Sequence, residues 1–300
     1  MRALVTGSQG FVGKHLIAHL RLSGDEVEGI DRERDVTDAD SMREIFDAFH
    51  PDVTYHLAAL THVGDSWDHA SEFTRVNVVG TQRVLDAAFA ADPKSTTLVV
   101  SSSEVYGVVR EEDLPIRESF RVAPANPYSS SKVEAERVAH DALRSRSQRV
   151  IVVRPFNHLG PGQASNFVVP ALVSRLLDAR ERGDGEIPVG DLTTRRDFSD
   201  VRDVVRAYRL LALLGVAGET YNVASGHDVS LLDIANDLVR LVSPETRLVV
   251  DPALLRPNDV PVFRGSFDKL NEATGWSPRI PLSVSLHDVV DDLVTRRAPS

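Results

Sequence analysis

The chain has 300 residues, 42% of them hydrophobic and 26% charged, which suits one large or two modest globular units with a sizeable core. Its net charge of -10 excludes a general attraction for nucleic acid or for an anionic membrane surface. The lack of any cysteine excludes disulfides, thiolate metal sites and cysteine nucleophiles.

Residues 2–6 read as a short buried strand. The apolar run here is too short for a signal peptide, and no stretch approaches a membrane span, so a cytoplasmic location is the expectation. Gly7-Ser8-Gln9-Gly10-Phe11-Val12-Gly13 follows and leads into an amphipathic helix from Phe11 to Leu22. Strand, glycine loop and helix in this order form a dinucleotide-binding arrangement. The glycines permit a tight turn and let a pyrophosphate approach the helix N-terminus, where N–H groups and the dipole favour an anion. A second strand, 27–30, ends at Asp31. That acid stands eighteen residues past Gly13, where a carboxylate can take the adenosine ribose hydroxyls. Asp31 would repel a 2′-phosphate, whereas Arg32 can pair with one, so both NAD(H) and NADP(H) are expected. His15 and His19 lie one turn apart on the first helix, but no third ligand is in view and no metal is expected.

Further helices are expected at 38–49 and, as one long piece, at 68–91. Strands are expected at 52–57, 96–100 and 149–153, and a helix carries Tyr128. This alternation argues for a doubly wound parallel sheet of the Rossmann type, covered by helices on both faces. Gly7, Asp31, Ala58-Ala59, Ser101–Ser103 and Arg154–Asn157 all follow strand ends, and ligands of such sheets bind beyond those ends. After Asn157 the pattern loosens. A loop at 158–163, helices at 167–182, 231–241 and 282–295, a helix ending near 214 and a strand at 220–223 predict a smaller mixed lobe. The expected division is 1–157 for the dinucleotide and 158–300 mainly for substrate, with the chain returning to the first part at about 197–223. Arg154, Arg195, Arg196 and Arg256 are candidate anion contacts.

The chemistry points to Ser101–Lys132. Tyr128 and Lys132 are four apart, so on a helix they share one face. The Lys132 ammonium is expected to lower the Tyr128 phenol pKa, and a serine at the preceding strand end can hold a substrate oxygen beside the phenol. Such a trio suits interconversion of an alcohol and a ketone.

These residues resemble the extended short-chain dehydrogenase/reductases that act on nucleotide sugars. Thr6–Gly13 is similar to that family's TGxxGxxG loop and His56-Leu57-Ala58-Ala59 to its HLAA segment. Val76–Thr81 is similar to its NxxGT, Ser101–Gly107 to SSSxVYG, and Tyr128–Lys132 to YxxxK. The resemblance implies catalytic roles for Ser102, Ser103, Tyr128 and Lys132. It also implies cofactor contacts along Gly7, Gln9, Gly10, Phe11, Val12, Gly13, Asp31, Arg32, Asp35, Val36, Leu57, Ala58 and Ala59, with Asp35-Val36 bordering the adenine. Asn77 would support the active-site strand.

The second half resembles GDP-4-keto-6-deoxy-mannose reductases and GDP-mannose 4,6-dehydratases at Arg154–His158, Gly160–Gln163, Arg196–Phe198, Asp200–Val205, Arg256–Pro261 and Thr274–Pro278. By that resemblance Asn157, Arg196 and Arg256 would hold a nucleotide diphosphate, GDP favoured, and Asp259 the nucleotide ribose. The dehydratases are typically longer and carry Gln-Asp-Gly where this chain has Phe11-Val12-Gly13, which favours the reductase. Glu104 stands where dehydratases keep the glutamate that removes a carbon-5 proton, and some reductases look similar there. The expectation is therefore reduction of a GDP-4-keto-6-deoxy sugar by a homodimer built on the 68–91 and Tyr128 helices, with Val84, Leu85, Ala88 and Phe89 as apolar positions that can serve the interface. A 4-epimerase, a 4,6-dehydratase or, more remotely, a non-catalytic dinucleotide sensor are the alternatives.

Overall fold

In the computed structural model, which describes residues 1–254 and 260–298, strand and helix alternate from the first residues. β1 (Arg2–Thr6) leads into α1 (Phe11–Leu22), and β2 (Glu26–Ile30) into α2 (Ala39–Phe49). β3 (Val53–His56) precedes a helical run, and β4 (Thr96–Val100) lies between that run and the Tyr128 helix. Ala3, Leu4, Val5, Leu98, Val99 and Val150 to Val153 are all buried, without alternation. Strands of that kind need cover on both faces, and the sheet they form is wholly parallel.

The run 68–91, expected as one helix, becomes helical only at Ala70 and is in three pieces. α3 (Ala70–Thr74) passes through a π-helical turn (Arg75–Val79) into α4 (Gly80–Ala91). Such turns insert a residue and recur at functional positions; here the turn holds Asn77 almost fully buried. Val84, Leu85 and Ala88 of α4 are buried within the chain, and Phe89 lies under the Arg146 guanidinium. Val84, Leu85 and Ala88 are thus taken up by the chain's own core, whereas Phe89 stays partly exposed.

α5 (Pro127–Arg146) begins at a strong start signal. Asn126 and Ser129 form a capping box, and proline occupies the first turn, where its missing N–H costs nothing. β5 (Arg149–Pro155) follows.

The second half contains β6 (Asn157–Leu159), α6 (Val168–Arg182), β7 (Glu186–Val189), β8 (Arg195–Asp200), α7 (Val201–Leu214), β9 (Thr220–Val223), β10 (Asp228–Ser230), α8 (Leu231–Val242), β11 (Arg247–Val250), β12 (Val262–Phe263), α9 (Asp268–Thr274) and α10 (Leu282–Arg297). α7 returns to the main sheet, where Val201, Val204, Tyr208 and Leu211 join the core of β1, β3, β4 and β5. β9 pairs with β5 and completes the order β2-β1-β3-β4-β5-β9. The order reverses between β1 and β3, which places a ligand crevice beyond their carboxyl ends. α6, α8 and α10 enclose a second core around Val173, Leu176, Leu238, Leu286 and Val289. β8 is the centre of a small mixed sheet with β6, β10 and β12, and β7 pairs with β11. Among the described residues no helix is long and apolar enough to cross a membrane.

Candidate active site

The glycine loop packs against the segment that follows β3. Gly7 has φ +70°, and a Cβ there would lie 2.9 Å from the Ala58 nitrogen. A Cβ on Gly13 would stand 2.2 Å from the Gly7 carbonyl oxygen and within 2.9 Å of Ser8 backbone atoms. No rotamer relieves a clash with backbone, so Gly13→Ala is expected to cost about 1–3 kcal/mol or more. Thermal denaturation against the parent measures this, and an unchanged melting temperature would show that the loop has slack.

α1 starts at Gly10 with no side-chain cap and no acid in its first turn. Its leading N–H groups are therefore suited to an anion, and a Cβ on Gly10 would meet only the Gly7 oxygen. Phe11 stacks on His158 and meets His15 edge-on, while His15 Nε2 donates to the Pro161 carbonyl; Val12 packs into the main core. At the end of β2 the Asp31 carboxylate accepts the Gln9 N–H at 2.8 Å and the Arg32 N–H at 2.9 Å. Asp31 thus stands at the loop, with the Arg32 side chain exposed beside it. Asp35 pairs with Arg75 and accepts from Thr37, above a buried Val36. Leu57 and Ala58 are fixed by N–H bonds to the Thr6 carbonyl and hydroxyl, with Ala59 next in line and partly buried.

The Tyr128–Lys132 corner is a register between the end of β4 and one face of α5. The Val100 carbonyl accepts from Lys132 Nζ at 2.8 Å. The Ser101 hydroxyl donates to Glu136 at 2.5 Å. The Ser102 hydroxyl lies near the Tyr128 phenol. Ser102 Oγ also accepts the Glu104 N–H, starting a short 3₁₀ turn in which Ser103 is buried and Glu104 exposed. Asn77, expected to support the active-site strand, is bonded to the loop after β3 and to α5: its amide donates to the Leu60 carbonyl and Ser131 hydroxyl and accepts the Leu60 N–H. Phe73 meets the Tyr128 ring edge-on.

Electrostatics differ from the sequence expectation. Burial pushes the Tyr128 phenol up to about 12; the Ser102 hydrogen bond pulls it down and the Glu104 carboxylate pushes it further up. Burial likewise draws Lys132 down to about 8, with Glu136 pulling it back toward the ammonium form. Desolvation of the phenolate therefore outweighs any help from Lys132, whose Nζ is turned to a carbonyl. His56 is held neutral by burial, at about 3. The Thr81 hydroxyl donates to the Asn77 carbonyl and so accepts from His56 Nε2, which leaves His56 Nδ1 to accept from Thr6.

Arg154, singled out as an anion contact, is buried and committed elsewhere. It forks onto Glu136 at 2.8 and 2.6 Å and donates to the Tyr106 hydroxyl at 3.0 Å. Tyr106 in turn donates to Asn222 of β9. Glu136 and Asn222 were not among the residues picked from the sequence; the i+4 spacing of Glu136 from Lys132 was the available signal. Arg195 pairs with Asp228. Arg196 lies on β8, partly exposed, with a guanidinium bond to the Val260 carbonyl at 2.7 Å. Asn157 is exposed at the start of β6, in register with Phe198. Asp197, next to Arg196, is fully buried and accepts from Ser225, Gly226 and Gly265, joining β8 to two distant loops. Arg256 and Asp259 lie outside the described residues. Among the described residues no group of three or more His, Asp or Glu is placed to hold a metal.

Residues 3–224 match the model of the NAD dependent epimerase/dehydratase family. The chain belongs to that family. It is 36% identical to a GDP-6-deoxy-D-mannose reductase of Pseudomonas aeruginosa, over 98% of each chain. It is 33% identical to a GDP-6-deoxy-D-talose 4-dehydrogenase of Aggregatibacter actinomycetemcomitans, over 99% of this chain and 98% of that one. Among solved structures, RMD from Pseudomonas aeruginosa complexed with NADPH superposes with a TM-score of 0.91 at 34% identity, covering 99% of this chain and all of that one. As a member of the epimerase/dehydratase family the protein is an NAD(P)-dependent oxidoreductase. The residues present fit that cofactor: the uncapped start of α1, the crowded glycines that bring α1 onto β1, and the Asp31 carboxylate at the loop are the groups a dinucleotide requires.

Proposed function

We propose that this protein reduces the 4-keto group of a GDP-linked 4-keto-6-deoxy-hexose, forming GDP-6-deoxy-D-mannose (GDP-D-rhamnose) from its 4-dehydro precursor. The observation that carries the reading is the end-to-end likeness to two relatives whose names join GDP, a 6-deoxy sugar and oxidation or reduction.

The bound nicotinamide supplies the hydride. The chain's own residues position, polarise and protonate. Tyr128 gives its proton to the oxygen at carbon 4; a phenol held neutral by burial is in the donor form throughout the physiological range. Ser102, with Ser103 in the same turn, steadies that oxygen. Lys132 would supply positive charge beside the phenol and hold the nicotinamide ribose. Gly7, Gln9, Gly10, Phe11, Val12 and Gly13 would receive the pyrophosphate, and Asp31 the adenosine ribose, with Arg32 available to a 2′-phosphate. Asp35, Val36 and Leu57 to Ala59 would border the cofactor, while Asn77 holds the helix that presents Tyr128. Asn157, Arg196, Arg256 and Asp259 would bind the nucleotide end of the substrate, since guanidinium groups suit a diphosphate. Residues 1–157 with the return at 197–223 would serve the dinucleotide, and most of 158–300 the sugar nucleotide. A cytoplasmic homodimer completes the reading. Its interface would use the outer faces of α4 and α5, where Glu134, Arg137 and Asp141 of α5 are exposed, as is Val79 of the π-helical turn just before α4.

The test is anaerobic incubation with GDP-4-keto-6-deoxy-mannose and NADH or NADPH, following loss of reduced cofactor. Oxidation of the cofactor is expected, with GDP raising the melting temperature more than UDP or dTDP. Turnover of GDP-mannose or UDP-glucose without added reductant, or equal stabilisation by UDP, would favour a dehydratase or an epimerase instead.

A further inference from the structure

α5 carries a third member of the Tyr128–Lys132 stripe. Glu136 lies one turn beyond Lys132 on the same face. The end of β4 and the residues just past it meet three side chains spaced by one helical turn: the Val100 carbonyl takes Lys132 and the Ser101 hydroxyl takes Glu136, with Ser102 beside Tyr128. The Glu136 carboxylate is 4% exposed as a residue and accepts three hydrogen bonds, one from Ser101 and two from Arg154. Lys132 is as deeply buried, with one carbonyl as its hydrogen-bond partner among the described residues. An ammonium in such a place loses its charge unless a negative group stands near. The ionisable groups around it are Tyr128 and Glu136 on its own helix, His56 of β3, Glu104 of the turn after β4 and Arg154 of β5. The π-helical turn contributes only the uncharged Asn77, bonded to neighbouring Ser131. His56 and Tyr128 are neutral, and Glu104 is exposed.

We propose that Glu136 is a positioning residue: clamped by Ser101 and Arg154, its carboxylate locks α5 against the end of β4 and keeps Lys132 in its charged form. Arg154 serves this arrangement by fixing the carboxylate in place. The catalytic consequence rests on the reading of Tyr128 and Lys132 given above, but the ionisation of Lys132 does not.

The chain has four lysines, Lys14, Lys94, Lys132 and Lys269. Selective ¹³Cε-lysine labelling therefore gives a simple spectrum, in which Lys132 is identified by its loss in Lys132→Met. Its titration midpoint is expected to fall by roughly one pH unit in Glu136→Gln. A smaller fall in the same direction is expected in Glu136→Leu/Arg154→Met, where a positive charge leaves too. Ser101→Ala keeps both charges and should leave the midpoint in place. In steady-state reduction, the alkaline limb of kcat should move down with the midpoint in Glu136→Gln and return toward the parent in Glu136→Asp, with KM for the keto-sugar little changed. A folded Glu136→Gln with an unmoved Lys132 midpoint would overturn the proposal. If that variant does not fold, an unmoved midpoint in the paired variant does so. A shifted midpoint in a protein that does not reduce the GDP-sugar would leave this role standing and remove only the substrate assignment.

Discussion

Tyr128→Phe is expected to lower kcat about 10²–10⁴-fold, the usual worth of a general acid. The ring remains to pack on Phe73, and Ser102 keeps its bond from the Glu104 N–H, so the fold should survive. Cofactor affinity should change little, because the glycine loop, Asp31 and Lys132 are untouched. Single-turnover oxidation of NADH or NADPH by the keto-sugar measures the effect, and a parent rate in Tyr128→Phe would dismiss the phenol as proton donor. In the same assay Glu104→Gln separates two chemistries. A dehydratase needs a base for the carbon-5 proton and should be nearly abolished, whereas a reductase should stay within about tenfold. The pH profile carries a sign as well. The donor form of a phenol near 12 persists across the working range. Loss of activity as pH rises through about 8 would therefore belong to Lys132 losing its charge, not to Tyr128.

Arg154→Met should be the most destabilising single change considered. It leaves the Glu136 carboxylate buried without its guanidinium, a situation that typically costs ~3–5 kcal/mol. For a chain of this size the melting temperature should drop by roughly 10 °C. Replacing both partners, in Glu136→Leu/Arg154→Met, removes the stranded charge and should recover much of that loss. Comparison of thermal melts for the two single variants and the pair decides the matter. A simple surface arginine would give a shift too small to resolve.

The contrast between Arg154 and Tyr128 shows what could be read in advance. Tyr128, Lys132 and the glycine loop were legible because their meaning lies in short spacings: four residues on a helix, or glycines between a strand and a helix. The alternation of strands was legible for the same reason, since strands buried on both faces are continuous apolar runs. Arg154 was misjudged because its partner sits eighteen residues away on another element, and nothing local marks an arginine as buried. Tyr106 and Asn222 meet across 116 residues, beyond the reach of any spacing rule. The π-helical turn was missed because an inserted residue leaves the apolar pattern of 70–91 nearly intact. The strands of the second sheet are two to six residues long and carry too little pattern to be told from loops. The direction of the Tyr128 shift was misread because desolvation depends on what covers the phenol, which a spacing does not state.

Strand β9 has a consequence for anyone wishing to change what the enzyme accepts. Asn222 on that strand receives the Tyr106 hydroxyl and donates to the Ile116 carbonyl, so the brace behind Lys132 ends in a segment supplied late in the chain. A chimera that exchanges everything after Asn157 would import a foreign α7 and β9 along with the proposed substrate lobe, and with them a foreign support for α5. Exchanging two separate stretches, one before α7 and one after β9, would leave the host's own buttress in place.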